Sequence, residues 1–410
     1  MAENHTAQQD IEANTIRITV NFQKNLYGLR RLVSDLYPVA QNHDKSARDR
    51  LLNIERKISA LISSKRPANE PLEPDAQEKI DSTCHSIVEI VSSYDYAWIN
   101  YNINKQRASL LLTSAFILLV SYFDFLLSDL IDTYYHTFTQ ALGDKTLLTY
   151  GELKECTTID EAIDRLISKK VESFSFKSFT DQISFFENEL KVPLQQYITI
   201  WPPIQEIILR RNILVHNDGI VNSRYITGTT ATQAQPPIQG TLLSVDPEYF
   251  SLSFAHMLIG GIIFTQTSLR KWFPDQLSVL DSRLSDIIDK LLSFKDYDTA
   301  YCLAMFSKQI ATADEHNRHL LDIYYCLVLK RLGRDQDFKS EVTKLEKANL
   351  SLLNDIAFSA VRGLRKDFYE HLERAAQTDQ IHEYELFGSL YEDLKREDDF
   401  NTQLNKIFHH

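Results

Sequence analysis

Trp201-Pro202-Pro203-Ile204-Gln205-Glu206-Ile207-Ile208-Leu209-Arg210-Arg211-Asn212-Ile213-Leu214-Val215-His216-Asn217-Asp218-Gly219 carries both the start and the stop of a helix. Proline in the first helical turn gives up an amide that no intrahelical carbonyl would use, and its fixed φ suits the start. Asp218-Gly219 supplies the turn that ends the helix near His216. Working outward, the chain holds only 11 Gly and 11 Pro in 410 residues, too few for a protein built on tight turns or Gly-rich phosphate loops. The long stretches between them favour helices, and the predicted fold class is all-α.

Apolar residues make up 43% of the chain, charged residues 24% and aromatics 11%, enough to bury a sizeable core. A length of 410 residues points to two or three domains. The net charge of −12 argues against a protein that coats nucleic acid by bulk electrostatics, though not against one that grips RNA at a local basic site. Cys84, Cys156, Cys302 and Cys326 lie far apart, with no Cys-x-x-Cys and no zinc-type spacing. Neither a disulfide framework nor a metal or cofactor site is predicted, and the reducing cytosol fits. Cys84-His85 reads as a buried thiol next to a surface imidazole. The start, Met1-Ala2-Glu3-Asn4-His5, lacks the basic and apolar blocks of a signal peptide. Ala108 to Phe123 carries no charge, but Asp124 and Asp129 interrupt it before about 18–20 apolar residues accumulate, so a buried core helix is predicted rather than a membrane span.

Three regions separate by pattern. Residues 1–104 read as a helical N-terminal arm. Leu26, Leu29, Leu32, Val33 and Leu36 recur at helical spacing, as do Leu51, Ile54, Ile58 and Leu61. The proline-rich stretch 65–74 reads as a linker, and Ala76 to Ile103 as one long helix with Ile80, Ile87, Ile90 and Val91 on a face. Residues 105–275 form the second region. It has an apolar helix over Ala108–Tyr135, a polar, Phe-dotted stretch over Val171–Leu190, and the helix quoted above. A Thr-, Gln- and Pro-rich loop over Gly228 to Gly240 follows. Thr241–Val245 and Tyr249–Phe254 then read as short strands or extended pieces, before a helix over Ala255–Trp272. From 276 to 410 short amphipathic helices come in pairs. Asp298, Asp337, Asp367 and Asp399 sit in similar surroundings, spaced by 39, 30 and 32 residues, and Leu332-Gly333 and Arg362-Gly363 precede the middle two. The pattern resembles degenerate tetratricopeptide-type hairpins, whose period is near 34; a plain helical bundle is the alternative.

Arg211 stands five residues ahead of His216, with Asn212 and Asn217 beside them. A histidine near its neutral pKa can take a proton from a ribose 2′-hydroxyl, and an arginine can neutralise charge building on the attacked phosphate. No Gly-x-x-x-x-Gly-Lys-Ser/Thr, His-Glu-x-x-His or Gly-x-Ser-x-Gly motif competes for the chemistry. The same residues also have a structural reading. Arg and His near a helix C-terminus complement its dipole, and Asn217-Asp218-Gly219 is an ordinary turn. Tyr94-Asp95-Tyr96-Ala97-Trp98 and Tyr134-Tyr135-His136 read as core or interface packing, with base stacking as the alternative, and the phenylalanines Phe174, Phe176, Phe179, Phe185 and Phe186 as core. Lys169, Lys170 and Lys177 make the last region a candidate RNA-facing patch, and His409-His410 reads as a frayed tail.

Arg211-Asn212-Ile213-Leu214-Val215-His216-Asn217 resembles the Arg-x4-His signature of the HEPN superfamily, typically Arg-Asn-x-x-Val-His. Leu119-Val120-Ser121-Tyr122-Phe123-Asp124-Phe125-Leu126 resembles that family's earlier acidic helix. The resemblance covers the middle region and implies a metal-independent endoribonuclease of the kind found in bacterial toxin and anti-phage defence. It implies His216 as general acid or base, Arg211 stabilising the transition state and Asn212 orienting the histidine or the phosphate. Asp124 would hold Arg211, and Arg210 would substitute for it or bind a neighbouring phosphate. On a regular helix Arg211 and His216 diverge by roughly 140°; the homodimer that the resemblance implies would bring two motifs together across a cleft. RNA is then the substrate, and the C-terminal pairs would present a surface to a protein partner or regulator. The alternative is a non-catalytic HEPN-fold dimerisation and scaffold protein.

Overall fold

The computed structural model describes residues 2–63, 76–104, 106–143, 147–229 and 237–408. The chain is all-α, and among the described residues the only β pairing is one antiparallel bridge between Ile220 and Leu242. The helices are α1 (Ala2–Ser63), α2 (Ala76–Asn104), α3 (Arg107–Thr137), α4 (Tyr150–Glu155), α5 (Ile159–Ser175), α6 (Phe179–Asn188), α7 (Trp201–His216), α8 (Ser223–Thr229) and α9 (Pro247–Trp272). They continue as α10 (Leu277–Ser293), α11 (Tyr297–Ser307), α12 (Glu315–Arg331), α13 (Asp335–Leu345), α14 (Leu352–Arg362), α15 (Arg365–Gln377), α16 (Glu392–Lys395) and α17 (Phe400–Phe408). The predicted linker at 65–74 lies outside the described residues, as do residues 230–236 of the polar loop and His409-His410.

Caps explain many of the starts. Thr149, Thr158, Ser178, Asp314 and Ser351 each accept a backbone N–H of the following first turn through a side-chain oxygen. The Phe-dotted stretch is therefore two capped helices, α5 and α6. Tyr249–Phe254 is helical rather than extended. Asp246 accepts the Tyr249 amide at 2.7 Å, and Pro247 opens α9, so a cap and an N-terminal proline override the β-favouring aromatic run.

Two compact units emerge, interleaved along the chain: residues 1–23, 123–201 and 255–410 in one, residues 24–122 and 202–254 in the other. They do not coincide with the division at 104 and 275, because every boundary of the 24–122 segment falls inside a helix (α1 or α3). The larger unit has an aromatic core around Phe264, with Trp201, Phe186 and Phe123 at ring-centroid distances of 5.0, 5.1 and 6.0 Å. The largely buried Arg270–Asp281 pair, at 2.7 Å, ties α9 to α10, and Asp281 also accepts the Ala313 amide at 2.8 Å. The C-terminal part of this unit consists of the pairs α10/α11, α12/α13, α14/α15 and α16/α17. α10 also packs on α12, and α12 on α14. Each recurring Asp motif marks the turn between the two helices of a pair. Gly333 and Gly363 adopt the left-handed backbone at two of these turns, with φ of 67° and 73°.

The smaller unit buries Leu26, Leu29 and Val33 of α1, Leu112, Phe116 and Leu119 of α3, and Phe250 and Phe254 of α9. Leu32 and Leu36, predicted on the same apolar face of α1, are exposed. α2 forms as predicted, yet Ile87 and Val91 of its apolar face are exposed, as are Tyr96 and Trp98. Those two rings of the Tyr94–Trp98 cluster are therefore not part of the core of this chain. By length and composition alone, His85–Thr137 and Pro247–Trp272 contain stretches apolar enough to cross a membrane; most of the second is buried in the protein.

Candidate functional site

α7 is anchored by its apolar stripe. Ile204, Ile207 and Ile213 are buried, and Ile213 joins Val221 and Tyr225 in a cluster flanked by Leu209, Ile226 and Leu243. The helix ends where predicted. The amides of Asn217 and Gly219 both donate to the Ile213 carbonyl, at 2.9 and 3.0 Å, and Asp218 and Gly219 take φ of 49° and 77°. Asn217 is part of this turn, its side-chain amide donating to the Ile220 carbonyl at 2.5 Å. The chain beyond then pairs with the 240–243 segment: Val221 donates to Thr241 at 2.9 Å and Leu243 to Gly219 at 2.9 Å.

One turn before the motif lies a charged cluster that the sequence analysis missed. Glu206 is buried, at 7% exposure. One of its oxygens accepts Arg210 Nε at 2.8 Å and the Tyr225 hydroxyl at 2.5 Å; the other accepts the Tyr249 hydroxyl at 2.5 Å. Arg210 Nη1 donates to the Ser244 carbonyl at 3.2 Å, and the guanidinium carbon lies 3.7 Å from the centroid of the Tyr249 ring. Burial, and then the Glu206 charge, push both tyrosine hydroxyls well above their ordinary range. Burial acts against the charge on Arg210, but Tyr249 and Glu206 outweigh it and hold the guanidinium protonated. The spacing of Glu206 and Arg210, four apart on one helix, was a legible signal. The tyrosines, 19 and 43 residues from Glu206, had none.

The remaining candidates are placed as follows. Arg211 and Asn212 are half-buried on α7, and His216 is exposed in its last turn. Asn212 and His216 share a face, while Arg211 is turned away by the helical repeat. Arg210 is committed to Glu206, Ser244 and Tyr249, which corrects its reading as a stand-in or second phosphate ligand: its side chain is only 14% exposed. Asp124, half-buried on α3, belongs to the other compact unit. In the candidate RNA-facing patch, Lys169 pairs with Glu152 at 2.6 Å and Lys170 with Glu189 at 3.1 Å. Phe174, Phe179, Phe185 and Phe186 are core, whereas Phe176 is 84% exposed. Tyr135 is buried, and Tyr134 packs on Trp272 at 4.9 Å. Among the described residues no group of three or more His, Cys, Asp and Glu could hold a metal ion.

Two cavities of the smaller unit, one beside Arg30 and Phe254 and one beside His43 and Arg50, are lined by neither Arg211 nor His216. Compared with family models, with curated proteins and with solved structures, the chain has no significant match in any of the three.

Proposed function

We propose that this protein is a metal-independent endoribonuclease of HEPN type, acting in the cytosol as a homodimer in toxin or anti-phage defence. His216 serves as general base on the ribose 2′-hydroxyl or general acid on the leaving 5′-oxygen. Arg211 stabilises the charge on the attacked phosphate, Asn212 orients the histidine or the phosphate, and the product ends in a 2′,3′-cyclic phosphate. The observation that carries this reading is the placement of the motif on one helix: α7 ends at His216, which is exposed, with Arg211 and Asn212 half-buried one turn before it. The C-terminal helical pairs are the surface for a protein partner or regulator.

A second reading has its own observation. α7 stays helical through His216, so the divergence of Arg211 and His216 is not relieved within one chain. A second copy can complete the site by bringing its own motif alongside; if its motif does not face the first, the chain is a non-catalytic HEPN-fold dimerisation and scaffold protein. Incubating total RNA with the purified protein in EDTA separates the two. Wild type is expected to yield fragments ending in 2′,3′-cyclic phosphate, with at least a hundredfold loss for His216→Ala and for Arg211→Ala at unchanged helicity. Sedimentation should give twice the 47.5 kDa of one chain. Cleavage that persists in His216→Ala, or a monomer that cleaves at full rate, would sink the assignment.

A further inference from the structure

One segment of the C-terminal part does not follow the order of a regular array. In such an array each pair touches its neighbours alone, and α10, α12 and α14 pack in that order. The chain between α15 and α17 breaks it. It forms two 3₁₀ turns, Glu383–Phe387 and Ser389–Tyr391, followed by α16, and the second turn packs on both α14 and α10. The Ser389 amide donates to the Asp289 carboxylate at 2.7 Å, and its hydroxyl to the Asp289 carbonyl at 2.9 Å, across 100 residues of sequence. The segment therefore spans the face that α10, α12 and α14 build together.

Its contacts are those of a bound peptide. Leu390, Tyr391 and Leu394 are buried as apolar anchors. Asp393 accepts Lys330 at 2.9 Å and Arg331 at 2.7 Å, both from the last turn of α12, and Arg331 also reaches Glu392 at 3.7 Å. Burial disfavours the Asp393 charge, but Lys330 and Arg331 outweigh it and hold the carboxyl below its ordinary range. The Lys330 and Asp393 side chains keep 32% and 31% of their exposure, so this anchor is screened by salt and open to exchange. The backbone is held as short 3₁₀ turns, whose hydrogen bonds are poorer than those of an α-helix. Both flanks are exposed: Thr378 to Gln380 on one side, Arg396 and Asp398 on the other. α17 packs separately on α15, so the segment has free chain on each side to leave by.

We propose that this face is a peptide-binding groove closed in cis by residues 388–394, and that its partner is a protein presenting a segment of the same chemistry. That chemistry is a serine, a leucine and an aromatic residue, two acids and a leucine, as in Ser389-Leu390-Tyr391-Glu392-Asp393-Leu394. The acids go to Lys330 and Arg331, the serine to Asp289, and the apolar side chains against α10 and α14. The tethered segment competes at an effective concentration on the order of millimolar, so the groove stays shut until a partner displaces it. This names the partner for the surface assigned above to the C-terminal pairs and rests on that assignment alone, not on the ribonuclease chemistry.

The test uses the full-length protein and a fluorescein-labelled peptide of residues 386–396, followed by fluorescence anisotropy. Asp393→Arg sets a cation against Lys330 and Arg331 and should open the groove, binding the peptide at least tenfold more tightly than wild type at unchanged helicity. Adding Arg331→Glu should remove that gain, and a peptide with lysine at both acidic positions should not bind. Hydrogen exchange of the wild type gives a readout free of substitutions: the amides of Ser389 and Tyr391 should exchange at least tenfold faster than those of Ile323 to Leu329 in α12. Exchange at the α12 rate, or loss of cooperative unfolding in Asp393→Arg, would make the segment a fixed part of the fold and overturn the proposal. So would equal peptide affinity in wild type and Asp393→Arg, no binding by either, or binding of the lysine peptide. Neither readout involves RNA, so failure here leaves the cleavage assay to decide the ribonuclease reading.

Discussion

Glu206 shows how one buried carboxylate organises its surroundings. Three donors converge on its two oxygens, so removing one of them leaves a desolvated acceptor. Tyr249→Phe should therefore destabilise the protein by about 1–3 kcal/mol. Glu206→Ala, which leaves Arg210 largely buried without its anion, should cost about 3–5 kcal/mol. Denaturant unfolding at neutral pH checks both, and a neutral Tyr249→Phe would show that the cluster does not stabilise the fold. A second acid is tuned by different means. Lys169 first, and then the Thr149 amide and hydroxyl, hold the half-buried Glu152 carboxyl down at about 2 from an ordinary 4.5. Because the folded-state value is depressed, the α4 cap keeps its contribution above pH 4.5 and loses it as pH falls toward 2. A carboxyl titration followed by NMR should give a midpoint near 2, moving toward 4.5 in Lys169→Met.

Elements are set by their ends as much as by their faces. At the C-terminus of α7, Gly219 combines φ of 77° with a backbone approach so close that a Cβ would lie 2.7 Å from the Leu243 carbonyl oxygen. Gly28, inside α1, has nothing within 4 Å of the same position. Opposite outcomes are expected in thermal unfolding. Gly219→Ala should lose about 1–3 kcal/mol through strain and displacement of the 240–243 segment. Gly28→Ala should gain about 0.5–1 kcal/mol from helix propensity alone. The C-terminal pairs obey a similar rule. Asp298, Asp337 and Asp367 lie in the first turns of α11, α13 and α15, where a negative charge complements the helix dipole. That local electrostatic preference is why the motif could be read without its tertiary partners.

For the whole molecule, the interleaved units make a prediction that the sequence division does not. A fragment covering 105–275 carries residues 105–122 and 202–254 of one unit and residues 123–201 and 255–275 of the other. Neither core would be complete, and helices without a buried apolar face are marginal in water. Expressed alone, the fragment should lack a cooperative unfolding transition; a sharp one would show that this region is an independent domain. The sequence by itself determined the all-α class, the span and stop of α7 and the turns within the C-terminal pairs. Each rests on local chemistry: proline and glycine dihedrals, caps and the helical repeat of apolar residues. Only the tertiary structure decided that Arg210 belongs to Glu206 and Tyr249, that Ile87 and Val91 of α2 stay exposed, and that the chain returns twice to its larger unit. Those outcomes depend on residues tens of positions apart meeting in space, and no local preference encodes which distant side chain will fill a given place.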